Sequence, residues 1–103
     1  MKNLHITVTD KIANYMSRDG EIVCGNSDYQ IVFTFDSEWE EHSKRKARFV
    51  WNGERHDQEF TGNTCPVPII TDASSVIVGV YAGDELSSTP VIIPCKRSIR
   101  CRT

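Results

Sequence analysis

An all-β fold, a two-sheet immunoglobulin-like sandwich of about seven to eight short antiparallel strands, is the class this sequence predicts. Three observations carry the prediction. Apolar and polar residues alternate with period two through most of the chain, as in a strand with one buried face. Clusters of Gly, Asn, Asp and Ser punctuate that alternation at regular intervals. No stretch carries the apolar period of a helix of ordinary length.

The elements follow in order. Leu4, Ile6 and Val8 alternate with His5, Thr7 and Thr9, which reads as a half-buried strand. Residues 11–16 continue it or form a second short strand. Ser17-Arg18-Asp19-Gly20 is a turn, because Gly accepts the positive φ that closes it. Residues 21–24 are extended, and Gly25-Asn26-Ser27-Asp28 turns again. Tyr29, Ile31, Phe33 and Phe35 then share one face of a core strand. The alternation breaks at Asp36-Ser37-Glu38-Trp39-Glu40-Glu41-His42, where Asp36 or Ser37 is placed to cap a single helical turn. Ala47, Phe49 and Trp51 resume the inward row. Asn52-Gly53 is a two-residue hairpin signal, since both residues accept positive φ. Residues 54–61 form a polar return strand, solvated on one side. Cys65-Pro66-Val67-Pro68 loses two ladder donors to proline and is an edge or a crossover. Residues 75–82 read as a buried central strand, and residues 89–94 as a final strand bounded by prolines.

Length and composition set bounds. The 103 residues form one domain, 1–103, in which 95–103 is a basic, cysteine-containing tail. A formal charge of −2 argues against a general nucleic-acid binder, which would be strongly basic. It supplies no attraction to anionic membranes either. No apolar run reaches the ~18 residues that span a bilayer as a helix. No secretory signal precedes the first strand, so the expected compartment is reducing, where disulfides do not persist.

Four cysteines stand out: Cys24, Cys65, Cys95 and Cys101. Three fates fit them: unlinked thiols, a zinc site, or a disulfide such as Cys95–Cys101. The most specific expectation is one structural zinc held by all four, pinning the tail to the sandwich. No CxxC knuckle marks such a site. His5, His42 and His56 are alternative ligands, though a lone His on a strand or loop is usually solvated. The three histidines and four cysteines form no local nucleophile–base signature, so no enzymatic activity is expected. Lys44-Arg45-Lys46-Ala47-Arg48 reads as the wet face of a strand. Trp51 alternates with Phe49 and belongs to the core. Trp39, in the acidic loop with Glu38, Glu40 and Glu41, is the candidate anchor of a protein interface.

Several stretches carry a resemblance. They are Phe35-Asp36-Ser37-Glu38-Trp39, residues 46–53, residues 60–68, residues 78–84, and residues 89–99 with their Ile93-Pro94-Cys95-Lys96-Arg97 run. In this order they resemble a small β-sandwich family encoded by phages and prophages of Gram-positive bacteria, found in tail- and baseplate-associated proteins. The resemblance spans roughly residues 30–100 and brings no catalytic signature. It implies a binding or structural role. A free-standing copy implies a phage effector in the host bacterial cytoplasm, acting as monomer or small homo-oligomer. Its expected partner is a host protein, with an anti-CRISPR protein that occludes a CRISPR nuclease as the leading form. A tail or baseplate adaptor is the alternative. Cys24 and Cys101 lie at or beyond the edges of the resembling stretches, so the four-cysteine site does not follow from the family.

Overall fold

Alternating rows of side chains close on one another as two sheets in the computed structural model, which describes residues 1–99. The strands are β1 (Lys2–Thr9), β2 (Ile12–Tyr15), β3 (Ile22–Val23), β4 (Tyr29–Phe35), β5 (Lys44–Trp51), β6 (Glu54–Thr61), β7 (Thr64–Pro66), β8 (Ser75–Ala82), β9 (Leu86–Ser87) and β10 (Val91–Lys96). The smaller sheet runs β2-β1-β4-β7. The larger runs β3-β10-β8-β5-β6, with β9 beside β8. The inward rows are Leu4, Ile6 and Val8 of β1, Ile31 and Phe33 of β4, Ala47, Phe49 and Trp51 of β5, Val76, Val78 and Val80 of β8, and Ile93 of β10. They form one continuous apolar core.

The all-β class holds, with two corrections. The described residues form ten strands, because β3, β7 and β9 are only two or three residues long and too short to show a period. Pairing is also mixed. β1 and β4 run parallel, with Leu4 opposite Ile31 and Ile6 opposite Phe33, and β3 runs parallel to β10. Alternation fixes which face a residue takes but not which strand lies beside it.

Turn chemistry follows the sequence closely. Asn52 and Gly53 take φ of 53° and 76°, so the β5–β6 hairpin has a two-residue loop. Its ladder runs without a bulge from Trp51–Glu54 to Lys44–Thr61. The β1–β2 hairpin uses Asp10 and Lys11 in the same left-handed region, at φ 51° and 66°. Asp36 Oδ2 accepts from the Asp10 N–H at 2.7 Å and does not cap the helical turn that follows it.

That turn, a 3₁₀ turn over Ser37–Trp39, drives Trp39 into the core. Its indole is fully buried and stacks on Phe35, with ring centroids 4.8 Å apart. Beside it lies Arg45, the one buried charged residue among those described. Its guanidinium donates to the Trp39 carbonyl at 2.7 Å and to the Gly62 carbonyl at 2.5 Å, and sits 4.4 Å from the centre of the Phe35 ring. Arg45 therefore fastens the β4–β5 loop and the β6–β7 turn to the same point. Trp39 Nε1 and Arg45 Nε are buried without a hydrogen-bond partner among the described residues, a cost offset by ring stacking and the cation over the ring. Trp39→Ala is expected to lower unfolding stability by about 3–5 kcal/mol in denaturant titration, through the cavity it leaves. A loss below about 1 kcal/mol would show that the indole is not packed as described.

Candidate interaction surface

The loop singled out for recognition is a structural plug. Trp39 faces inward and offers no anchor, because Phe35 and Arg45 arrive from neighbouring strands to enclose it. Glu38 accepts from Lys11 Nζ at 2.8 Å, which ties the loop to the β1–β2 hairpin. Glu40 and Glu41 remain exposed. What survives at this end is an acidic rim without its aromatic centre.

The cysteines do not assemble a metal site among the described residues, where no group of three or more His, Cys, Asp or Glu could hold an ion. Cys65 belongs to the smaller sheet, opposite Ile31 on β4. Cys24 and Cys95 lie at the β3–β10 margin of the larger sheet, where the Cys24 N–H donates to the Lys96 carbonyl at 2.8 Å. Cys24 Sγ donates to the Ala73 carbonyl at 3.4 Å, and Cys95 Sγ to the Ile93 carbonyl at 3.7 Å. Cys101 lies outside the described residues. Burial pushes the Cys65 thiol up to about 12, which favours its protonated form. Among the described residues the sulfurs are packed and carbonyl-bonded, and the expected four-cysteine zinc site, whose fourth ligand Cys101 lies outside them, is not assembled there. The histidines are likewise dispersed. His5 pairs with Asp19 at 2.9 Å, His42 approaches Glu85 at 3.9 Å, and His56 stacks on Trp51 at 4.0 Å.

The outer face of the larger sheet is different. Strand period two gives β8 an outward row of Ser75, Ile77, Gly79 and Tyr81. Register aligns Ile92 of β10 with Ile77, and Ile77 with Val50 of β5, so an apolar row crosses three strands. Ile92 is 66% exposed and Ile77 40%, both unusual for isoleucine. The next row places Gly79 beside Arg48 and Arg48 beside Asp57. Gly79 has no side chain to fill the sheet surface, and Ser88 and Pro90 bulge past it between β9 and β10. The result is a groove of about 390 Å³, walled by Arg48, Val50, Ser88 and Pro90 and closed by Ile77 and Tyr81.

A polar triad stiffens one wall. Arg48 Nε donates to Asp57 Oδ1 at 3.0 Å, and Tyr81 donates to Asp57 Oδ2 at 2.9 Å. The Arg48 guanidinium also stands 5.0 Å from the centre of the Tyr81 ring. The hydrogen bond to Asp57 raises the Arg48 guanidinium above its ordinary value, and the same bond holds the Asp57 carboxyl below the usual 3.8.

Sequence reading took residues 75–82 as buried and so missed this surface. Central the strand is, yet its second face is open. The signal was present: Val76, Val78 and Val80 already supply an inward row, which leaves Ile77, Gly79 and Tyr81 to face outward. Comparison of the chain with protein-family models, with curated proteins and with solved structures returned no significant match.

Two carboxyls lie below their ordinary value. At Asp19 burial opposes the shift, and the His5 backbone N–H and ring outweigh it. A lowered folded-state value stabilises the fold above the unfolded value of 3.8, and that stability is lost as pH falls through the folded value. Unfolding free energy is therefore expected to decline as pH drops below about 4, and Asp19→Asn with Asp57→Asn should flatten that acid limb. Parallel acid limbs in parent and double variant would contradict the pairing.

Proposed function

We propose that this chain is a non-enzymatic binding protein that acts by covering a surface of a partner protein, with the outer face of the larger sheet as its contact surface. The observation that carries the reading is the exposed Ile92–Ile77 row beside the Gly79 groove. A flat apolar row rimmed by charges is the anatomy of a protein interface, with large side chains at the centre and polar groups around them. Occlusion needs about 800 Å² per partner. The chain exposes 6199 Å² in all, several times that area.

The resemblance to phage β-domains supplies the class of partner. On that reading the target is a host defence protein met in the bacterial cytoplasm, and a CRISPR nuclease is the one to test first. The acidic rim of Glu38, Glu40 and Glu41 then serves as a secondary contact, able to approach a basic nucleic-acid channel. Burial and the raised thiol value at Cys65 give no activated thiolate at that position, which fits a binder.

Ile77→Asp with Ile92→Asp tests the contact, because both side chains leave the core untouched. Binding to the nuclease and inhibition of its cleavage are expected to weaken by about 100-fold or more, as for the centre of an interface. Gly79→Leu should also weaken binding without unfolding the chain. Its φ lies outside the left-handed region, and an added Cβ meets Ser88 Oγ at 3.8 Å, an ordinary contact. Full inhibition by both variants, with loss on Glu40→Lys and Glu41→Lys instead, would return the contact to the loop.

A further inference from the structure

β6 is the long edge of the larger sheet, and among the described residues it pairs only with β5. The two-residue hairpin fixes the direction of its backbone groups. Trp51–Glu54 closes the loop as a hydrogen-bonded pair, and such pairs alternate along an antiparallel ladder. Glu54, His56, Gln58 and Phe60 therefore turn their N–H and C=O toward β5. Arg55, Asp57 and Glu59 turn theirs outward. The far side of the sheet confirms this phase, since Val80 bonds away from β5, to Ser88.

This edge is eight residues long and carries no proline and no bulge; its protection is charge, in the exposed Arg55, Asp57 and Glu59. Beside it, His56, Asp57, Gln58 and Pro68 bound an open hollow of about 290 Å³. The charges along the outward-bonding row read Arg55, Asp57, Glu59, positive at one end and negative at the other. An antiparallel copy of that row reverses the order. Centring the pairing on Asp57 brings Arg55 opposite the second copy's Glu59, twice by symmetry. Asp57 then meets its own copy, and each of these carboxylates is already held by Arg48 and Tyr81. Centring on His56 also sets Arg55 opposite an acid but shortens the ladder. Other registers oppose like charges or leave Arg55 without an acid.

We infer that two copies of this chain pair through β6, antiparallel and centred on Asp57, to make one continuous sheet across a two-fold axis. The axis stands perpendicular to the sheet, so the outer faces of both copies point to the same side. Such an isologous contact gives backbone partners to the outward N–H and C=O of Arg55, Asp57 and Glu59 on both chains, the Glu59 carbonyl exchanging the Gln58 Nε2 donor it has at 3.2 Å. This inference is independent of the proposed target, because it concerns only the chain with itself.

Sedimentation equilibrium of the purified chain is the test, with circular dichroism confirming that each variant is folded. The parent is expected to dimerise reversibly, more weakly as salt rises. Arg55→Glu and Glu59→Arg, singly, replace two attractive cross-strand pairs by two repulsive ones. Each should raise the dimer dissociation constant by about tenfold or more. Combined, the two substitutions restore opposite charges in the same register and should restore dimerisation. Glu59→Pro removes an outward donor at an edge that tolerates proline and should abolish pairing. A monomer at about 1 mM, a higher oligomer, or a dimer indifferent to these substitutions would overturn the inference.

Discussion

One buried cation organises the end of the sandwich from which the rest is arranged. Arg45 has no carboxylate partner among the described residues, and burial pulls its guanidinium below its ordinary value. Its charge is held by the Trp39 and Gly62 carbonyls and by the face of Phe35. A planar fork reaches two carbonyls on separate loops while standing 4.4 Å from the centre of the Phe35 ring, so lysine would not substitute. Removing the guanidinium would leave the buried Trp39 carbonyl without its donor, and an unmet buried acceptor costs about 1–3 kcal/mol, whereas the Gly62 carbonyl belongs to an exposed turn. The Trp39 loop is consequently committed to holding the fold together.

That commitment moves the proposed contact surface away from the loop. With the loop's aromatic side chain spent on packing, the exposed apolar groups concentrate elsewhere. Ile77 and Ile92 face solvent on the larger sheet, across from the core-facing Val76, Val78 and Ile93. Gly79 keeps the floor beside them low, and the bulge at Ser88–Pro90 raises one wall. The Arg48–Asp57–Tyr81 triad then joins this face to the β6 edge, since Asp57 belongs to both. Face and edge are thus mechanically linked, and pairing of edges would place two such faces side by side, raising avidity without any new contact to a target.

Much of the fold was legible in the chain. Leu4, Ile6 and Val8, or Ile31 and Phe33, need only a two-residue period to be assigned inward, and Asn52-Gly53 announces its hairpin by backbone chemistry alone. What escaped was non-local. The parallel pairing of β1 with β4 depends on a crossover of some twenty residues that no window of sequence reports. Trp39 sits among carboxylates in sequence, while the groups that bury it come from β4 and β5. Arg45 looked solvated inside a basic run, although its spacing from Ala47, Phe49 and Trp51 already placed it in the inward row. The outer surface was overlooked for a related reason: an unbroken apolar run reads as burial on both faces, and nothing local tells whether a second layer covers it.

The central claim is that the larger sheet's outer face, and not the acidic loop, is where this molecule meets others. Methyl NMR with labelled isoleucines addresses it most directly, because Ile77 and Ile92 report that face while Ile6, Ile22 and Ile31 report the interior. On titration with the proposed target, a CRISPR nuclease, the account predicts that the Ile77 and Ile92 signals shift or broaden first and that the interior signals hold. Binding that leaves both of those methyl signals unmoved would contradict it.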